Sequence, residues 1–195
     1  MPKKRPPFLS GHYYHFYNRG AHRKSFFREP RNYLFVLERM KKYASKYQLS
    51  VIAYVLMPNH YHFLVRQDGE YFARYLPQYV FNSYSSAYNL LYDHSGTLFE
   101  DKYKVELVQN EGHLLHLCRY IHGNPVKDGM VADPADWAYS NYLEWIGERD
   151  GTLYAPDFVR EYFSSSADYR EFVFDDLLSR DLPDDIRLYL ESFEK

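Results

Sequence analysis

The spacing of apolar and polar side chains divides the chain into short strand-like runs and longer helical ones. HYYHFYNRG, residues 12–20, is rich in β-forming residues and ends at Asn18 and Gly20, a turn signal, which predicts a strand. Pro30 then opens a helix at its first turn. Leu34, Leu37, Met40, Ala44 and Tyr47 form the expected apolar face of that helix, with Lys41, Lys42 and Lys46 mostly away from it. LSVIAYVLM, residues 49–57, is an unbroken apolar run and reads as a buried strand. Pro58-Asn59 makes a tight connection into MPNHYHFLV, so these two strands form an antiparallel, hairpin-like pair.

Residues 70–93 have a helical pattern in which Pro77 breaks or restarts the helix. Tyr79, Val80, Ser83, Ala87, Leu90 and Leu91 are its expected inner face, and His94-Ser95-Gly96 closes it. Residues 98–108 alternate through Tyr103, Val105 and Leu107 and predict a fourth strand. Gly112 precedes a helix over residues 113–124, which Pro125 is expected to end. Asp133-Pro134 opens a short segment carrying Trp137, Tyr139, Tyr142 and Trp145, and residues 156–163 and 167–179 read as short helices. The order of elements is α+β, and its natural solution is a ferredoxin-like split antiparallel sheet of four to five strands with helices packed on it.

Charge divides the chain further. Residues 148–195 carry 13 acidic and 6 basic side chains, a net of −7, whereas residues 1–147 carry 18 basic and 13 acidic, a net of +5. The expected organisation is a disordered basic arm over 1–10, a mildly basic body over 11–147, and an acidic helical extension over 148–195. A body of this charge can hold a phosphate backbone, which the extension cannot. Masking of a DNA groove and assistance to folding are the two roles its charge suggests. The 22 tyrosines suit half-wet grooves as well as a core. A single cysteine, Cys118, excludes an internal disulfide and fits a reducing cytoplasm. No apolar run approaches the roughly 20 residues of a membrane span, and the basic start lacks the apolar segment of a signal peptide.

Candidate chemistry lies in two places. On a strand, His60 and His62 share one face about 7 Å apart at Cα, with Tyr61, Phe63 and Val65 on the other. Two imidazoles side by side can hold one divalent cation; the alternative is a half-buried strand with surface or hydrogen-bonded histidines. On the helix after Gly112, Leu114, Leu117, Cys118 and Ile121 line the buried stripe, while Tyr120 and Asn124 stack on its flank one turn apart. A helix beside the strand would bring a phenol and an amide oxygen to the imidazoles. The alternative makes Tyr120 a boundary residue and Asn124 a helix C-cap.

These segments resemble a known family. MPNHYHFLV is similar to the His–bulky apolar–His motif of the single-tyrosine HUH transposases, with Tyr61 in the bulky position. GTLFEDKYK, residues 96–104, resembles the family's glycine, Leu-Phe and basic segment, and LCRYIHGNPVKDGMV, residues 117–131, resembles the segment bearing its tyrosine. The likeness covers roughly residues 11–146 and is greatest to the REP-associated tyrosine transposases, which act on palindromic repeats of bacterial genomes.

The resemblance implies that Tyr120 is the nucleophile and that His60, His62 and Asn124 bind Mg²⁺ or Mn²⁺. It implies attack on single-stranded DNA beside a hairpin, a 5′-phosphotyrosine intermediate, and strand transfer without ATP. Lys102, Lys104 and Arg119 are then candidate phosphate contacts, and Tyr13, Tyr14, Tyr103 and Trp137 candidate base-stacking residues. His122 falls well away from Tyr120 around the helix and is expected to hydrogen-bond in the body. A domesticated hairpin-binding protein without transposition is the alternative function. Tyr120 acting beside its own histidines requires only a monomer, and Tyr120 serving a partner requires a homodimer.

Overall fold

The computed structural model describes residues 6–178 and 184–191. Its elements are β1 (Tyr13–Arg19), α1 (Pro30–Lys46), β2 (Leu49–Met57), β3 (His60–Gln67), α2 (Tyr75–Tyr92), β4 (Lys104–Val108), α3 (Glu111–Lys127), α4 (Tyr142–Trp145), α5 (Pro156–Tyr162), α6 (Ser166–Leu178) and α7 (Asp184–Glu191). The four strands form one antiparallel sheet in the order β2-β3-β1-β4. This is the expected α+β, ferredoxin-like arrangement, since two β-α-β units interleave with both helices on one face. Among the described residues no helix is long and apolar enough to cross a membrane.

Alternation along the strands sorts side chains into two cores. Tyr14, Phe16, Tyr54, Leu56, Tyr61, Phe63 and Val65 face α1 and α2. Tyr17, Val55, Met57 and Leu64 face α3 and the C-terminal helices. In β2, a bulge at Ile52 interrupts the ladder between Val51 and Ala53. The Ile52 carbonyl accepts instead from Asn141 Nδ2 (2.8 Å) and Trp145 Nε1 (3.0 Å), which fastens the segment around α4 to the sheet.

Several expected faces are rotated. In α1 the buried residues are Asn32, Tyr33, Val36, Met40 and Ala44, and Leu34 is 54% exposed. In α2 they are Leu76, Pro77, Val80, Phe81, Tyr84 and Tyr88, whereas Leu90 and Leu91 are exposed. Tyrosine explains the difference: its ring is apolar and its hydroxyl needs one partner, as when Tyr84 donates to the Phe26 carbonyl at 2.6 Å. Pro77 sits in the first turn of α2, where a proline breaks nothing. Pro125 does not end α3, which runs on to Lys127 and closes with Asp128 N donating to Asn124 O at 3.0 Å.

At the N-terminus, residues 1–5 of the expected basic arm lie outside the described residues. Residues 6–10 pack on the sheet: Phe8 lies against Tyr14 and Phe16, and Leu9 N donates to the Tyr14 hydroxyl at 2.7 Å. At the other end, residue 179 of the expected helix is outside the described residues, and α7 follows where no helix was expected.

One polar chain joins the layers on the α3 side. His122 is fully buried, with Nε2 2.9 Å from Asn141 Oδ1 and Nδ1 2.5 Å from the Tyr169 hydroxyl. An amide oxygen only accepts, so Nε2 carries the proton and Nδ1 accepts from Tyr169. Burial lowers the His122 pKa to about 4.

Two outcomes follow from this packing. Met40→Ala should cost about 2–5 kcal/mol in chemical denaturation, and Leu34→Ala no more than about 0.5 kcal/mol. In the unfolded chain His122 takes up a proton near pH 6.5, whereas in the fold it resists until pH is near 4. Its contribution to stability is therefore present at neutral pH and is lost as pH falls through that window, by up to about 1.4 kcal/mol per pH unit. Urea titrations between pH 7 and 5 should show a shallower loss for His122→Gln than for the natural chain.

Candidate active site

A groove of about 770 Å³ opens where the ends of β1 and β3 meet the C-terminal half of α3. The turn before β3 positions its floor. The Pro58 carbonyl accepts from Phe26 N (2.9 Å) and Phe27 N (3.0 Å), and the Asn59 carbonyl accepts from Gly20 N (2.8 Å). His60 starts β3 opposite Arg19, and His62 lies opposite Tyr17 of β1 and Val55 of β2. Both histidines face α3, because Tyr61 between them turns to the other core and stacks on Phe81 with ring centres 3.9 Å apart.

From the opposite wall, α3 presents Tyr120 and Asn124. Asn110 caps its start by accepting from His113 N at 2.8 Å. The Tyr120 ring meets His62 edge-on, centroids 5.5 Å apart at 89°. His60 Nδ1 is 2.8 Å from Asn59 Oδ1, and its Nε2 is 2.8 Å from Asn124 Oδ1. With Nδ1–H donated to Asn59, the lone pair of Nε2 faces a second acceptor, Asn124 Oδ1. Two acceptors converging in this way suit a shared cation. Ligands of an octahedral ion with bonds of about 2.0–2.1 Å stand about 3 Å apart along each edge. Among the described residues no group of three His, Cys, Asp or Glu side chains is arranged to hold a metal; the group that meets His60 Nε2 is an amide oxygen.

His62 is oriented by a residue that local sequence patterns did not single out. His15 Nε2 lies 2.9 Å from His62 Nδ1, and both rings are buried. Burial, reinforced by the neighbouring His15 and His60, holds His62 well below the usual histidine range, and burial takes His15 to about 3. Both are therefore neutral at pH 7. With His62 Nδ1–H donating to His15, the lone pair of His62 Nε2 is free for a ligand. Tyr17 completes the stack, its ring centre 4.8 Å from that of His15. The one available signal was that His15 and Tyr17 share strand parity; which strand they would face was not local information.

The rim is charged. Arg19, Arg23, Lys102, Lys104 and Lys127 line the groove against Glu100, Asp101 and Asp128, so its walls favour an anion. Arg19 pairs with Glu100 and holds that carboxyl below the usual carboxylate range. Lys127 Nζ stands 5.0 Å from the centre of the Tyr120 ring, and Lys104 Nζ 5.6 Å from that of Tyr17.

The structure thus brings His60, His62, Tyr120, Asn124, Lys102 and Lys104 to one groove. It places the other expected DNA contacts elsewhere. Arg119 is buried on the far side of α3, its guanidinium 4.5 Å from the Phe172 ring centre. Tyr13 packs against Phe158, and Trp137 donates to the Leu56 carbonyl at 3.1 Å. Tyr14 is core, and Tyr103 packs edge-on to Phe16. A period of two or 3.6 identifies a shared face but not which face meets the groove.

A family model described as transposase IS200-like matches residues 8–124, more than half of the chain. No curated protein matches the sequence. Among solved structures, the fold is similar to that of a REP-associated tyrosine transposase bound to a REP hairpin. The two are 16% identical, with a TM-score of 0.61 over 80% of this chain and 94% of that one. A looser likeness is to a putative transposase from Deinococcus radiodurans, 16% identical, with a TM-score of 0.43 over 62% of this chain and 96% of that one. The chain belongs to the IS200-like transposase family and is a single-tyrosine transposase.

Proposed function

We propose that this transposase cleaves and rejoins single-stranded DNA beside a hairpin, with Tyr120 as the nucleophile. The observation that carries the reading is the convergence of Tyr120, Asn124, His60 and His62, from α3 and β3 of one chain, on a single basic-rimmed groove. Because all four belong to one chain, a monomer supplies the complete set. The hairpin is proposed from the family and from the REP hairpin held by the structural relative.

His60 Nε2, His62 Nε2 and Asn124 Oδ1 would hold Mg²⁺ or Mn²⁺. Such an ion, when bound, polarises a non-bridging oxygen of the scissile phosphate and orients it. The rest is done by the chain's own residues. Lys102, Lys104, Arg19 and Arg23 hold the flanking phosphates along the rim. Lys127 sets a positive charge beside the ring of the attacking phenol and the phosphate it attacks. Tyr120 Oη forms a bond to phosphorus as the bond to the 3′-oxygen breaks. The phenol gives up its proton, and the leaving oxygen takes one up to become a 3′-OH. The product is a 5′-phosphotyrosine. A 3′-OH from another strand end reverses the same step and rejoins DNA without ATP, because the phosphodiester energy is kept in the tyrosine link.

Single-stranded hairpin oligonucleotides incubated with Mn²⁺ and run on denaturing protein gels should give a covalent adduct to the 5′ end of the fragment downstream of the break. The adduct should vanish in Tyr120→Phe and on adding EDTA, with hairpin binding retained by the variant. Binding in both proteins with no adduct under any divalent metal would replace this reading with that of a hairpin-binding protein. His15→Phe keeps the stacked ring but removes the partner of His62. It should raise the Mn²⁺ concentration for half-maximal adduct formation by about 10- to 100-fold, measured by titrating Mn²⁺ at fixed DNA.

A further inference from the structure

The acidic C-terminal segment contributes no described residue to the groove. It packs on the opposite side of α3, level with Tyr120. Tyr169, Phe172, Val173 and Leu177 of α6 recur at helical spacing and face α3 and its surrounding core. Three of them touch the residues that bracket the tyrosine. Phe172 lies under the Arg119 guanidinium, and its carbonyl accepts from Arg119 Nη1 at 3.4 Å. The Tyr169 hydroxyl donates to His122 Nδ1 at 2.5 Å. Leu177 occupies the space beside Gly123, where an added Cβ would come within 3.1 Å of Leu177 Cδ2.

The other side of the clamp is the sheet. His122 Nε2–H donates to Asn141 Oδ1, and Asn141 Nδ2 donates to the carbonyls of Ile52 (2.8 Å) and Leu153 (3.2 Å). Every donor and acceptor in this chain has a determined direction, so the network has one arrangement. It runs from α6 through α3 to the bulge in β2. Residues 119, 122 and 123 are thereby fixed from behind, while 120 and 124 face the groove.

We propose that α6 is a positioning element for the nucleophile: the Tyr169–His122 hydrogen bond and the Leu177–Gly123 contact set the roll of α3 and so the place of the Tyr120 hydroxyl. The inference rests on Tyr120 being the nucleophile. A phenol carries its oxygen far from the helix axis, so a small roll of α3 moves it much further than it moves the backbone. Displacement by about 1 Å can cost about 100-fold in rate. The rim proposed to hold DNA is built from β1, residues 100–104 and the end of α3, and no described residue of α6 lines it. Binding and cleavage should therefore separate.

The test uses the full chain and single-turnover adduct formation at saturating Mn²⁺ and hairpin DNA, with hairpin affinity and melting temperature measured alongside. Tyr169→Phe removes one hydroxyl and keeps the ring; Gly123→Ala pushes on Leu177. Tyr142→Phe is the matched control: Tyr142 is buried in the same core, and its hydroxyl has no hydrogen-bond partner among the described residues. Tyr169→Phe and Gly123→Ala should form adduct about 10- to 100-fold more slowly, with hairpin affinity within about twofold of the natural chain, and Tyr142→Phe should match the natural rate. Natural rates in Tyr169→Phe and Gly123→Ala would overturn the inference alone. So would a parallel loss of affinity, melting temperature and rate, which marks general destabilisation. No adduct from the natural chain would overturn the reading of Tyr120, and this inference with it.

Discussion

The period-two alternation of β3, locked in register against β1, is the constraint from which the site follows. A one-residue slip would turn His60 and His62 into the core beneath α2 and bring Tyr61 and Phe63 out towards α3. The slip is prevented from both faces. Tyr61 and Phe63 stack on Phe81 in one core, and Leu64 is buried in the other. The same register sets Tyr17 opposite His62 and brings His15 within hydrogen-bonding distance of it, so the sheet both presents the imidazoles and fixes which nitrogen of His62 faces the groove.

Against that sheet, α3 is buried almost all round from Leu117 to Pro125. A helix at the surface needs one apolar stripe; one packed between a sheet and further helices must also satisfy its polar side chains internally. His122 does this through Tyr169 and Asn141, and Arg119 through Phe172. The acidic segment is the outer wall of this helix. Its apolar residues Phe158, Tyr169, Val173, Ile186 and Leu190 are core, and none of its described acidic residues lines the basic groove.

Much of this was legible along the chain. The apolar run of β2, the β-forming residues of β1 and the tight Pro58-Asn59 connection into β3 identified those strands to within a few residues, because strands and turns answer to local residue type. The helical faces were less legible. Leu34, Leu90 and Leu91 look like core residues by hydropathy, yet Tyr33, Tyr84 and Tyr88 occupy the buried positions, since a tyrosine with a partner for its hydroxyl buries as much apolar area as a leucine. Arg119 shows the same difficulty for charge. It was a candidate phosphate contact, and it is next to Tyr120 in sequence, but neighbours on a helix point about 100° apart, and Arg119 faces α6.

The sequence by itself determined the element order from β1 to α3, the shared face of His60 and His62, the one-turn stacking of Tyr120 on Asn124, and the division of charge between body and extension. These are properties of neighbours in the chain, set by the geometry of a strand or a helix. Only the tertiary structure decided that His60 meets Asn124 across 64 residues, that His15 backs His62, and that α6 braces α3 from behind. Those pairings depend on strand register and helix placement, which are set by the packing of residues distant in the chain and are not encoded in any local period.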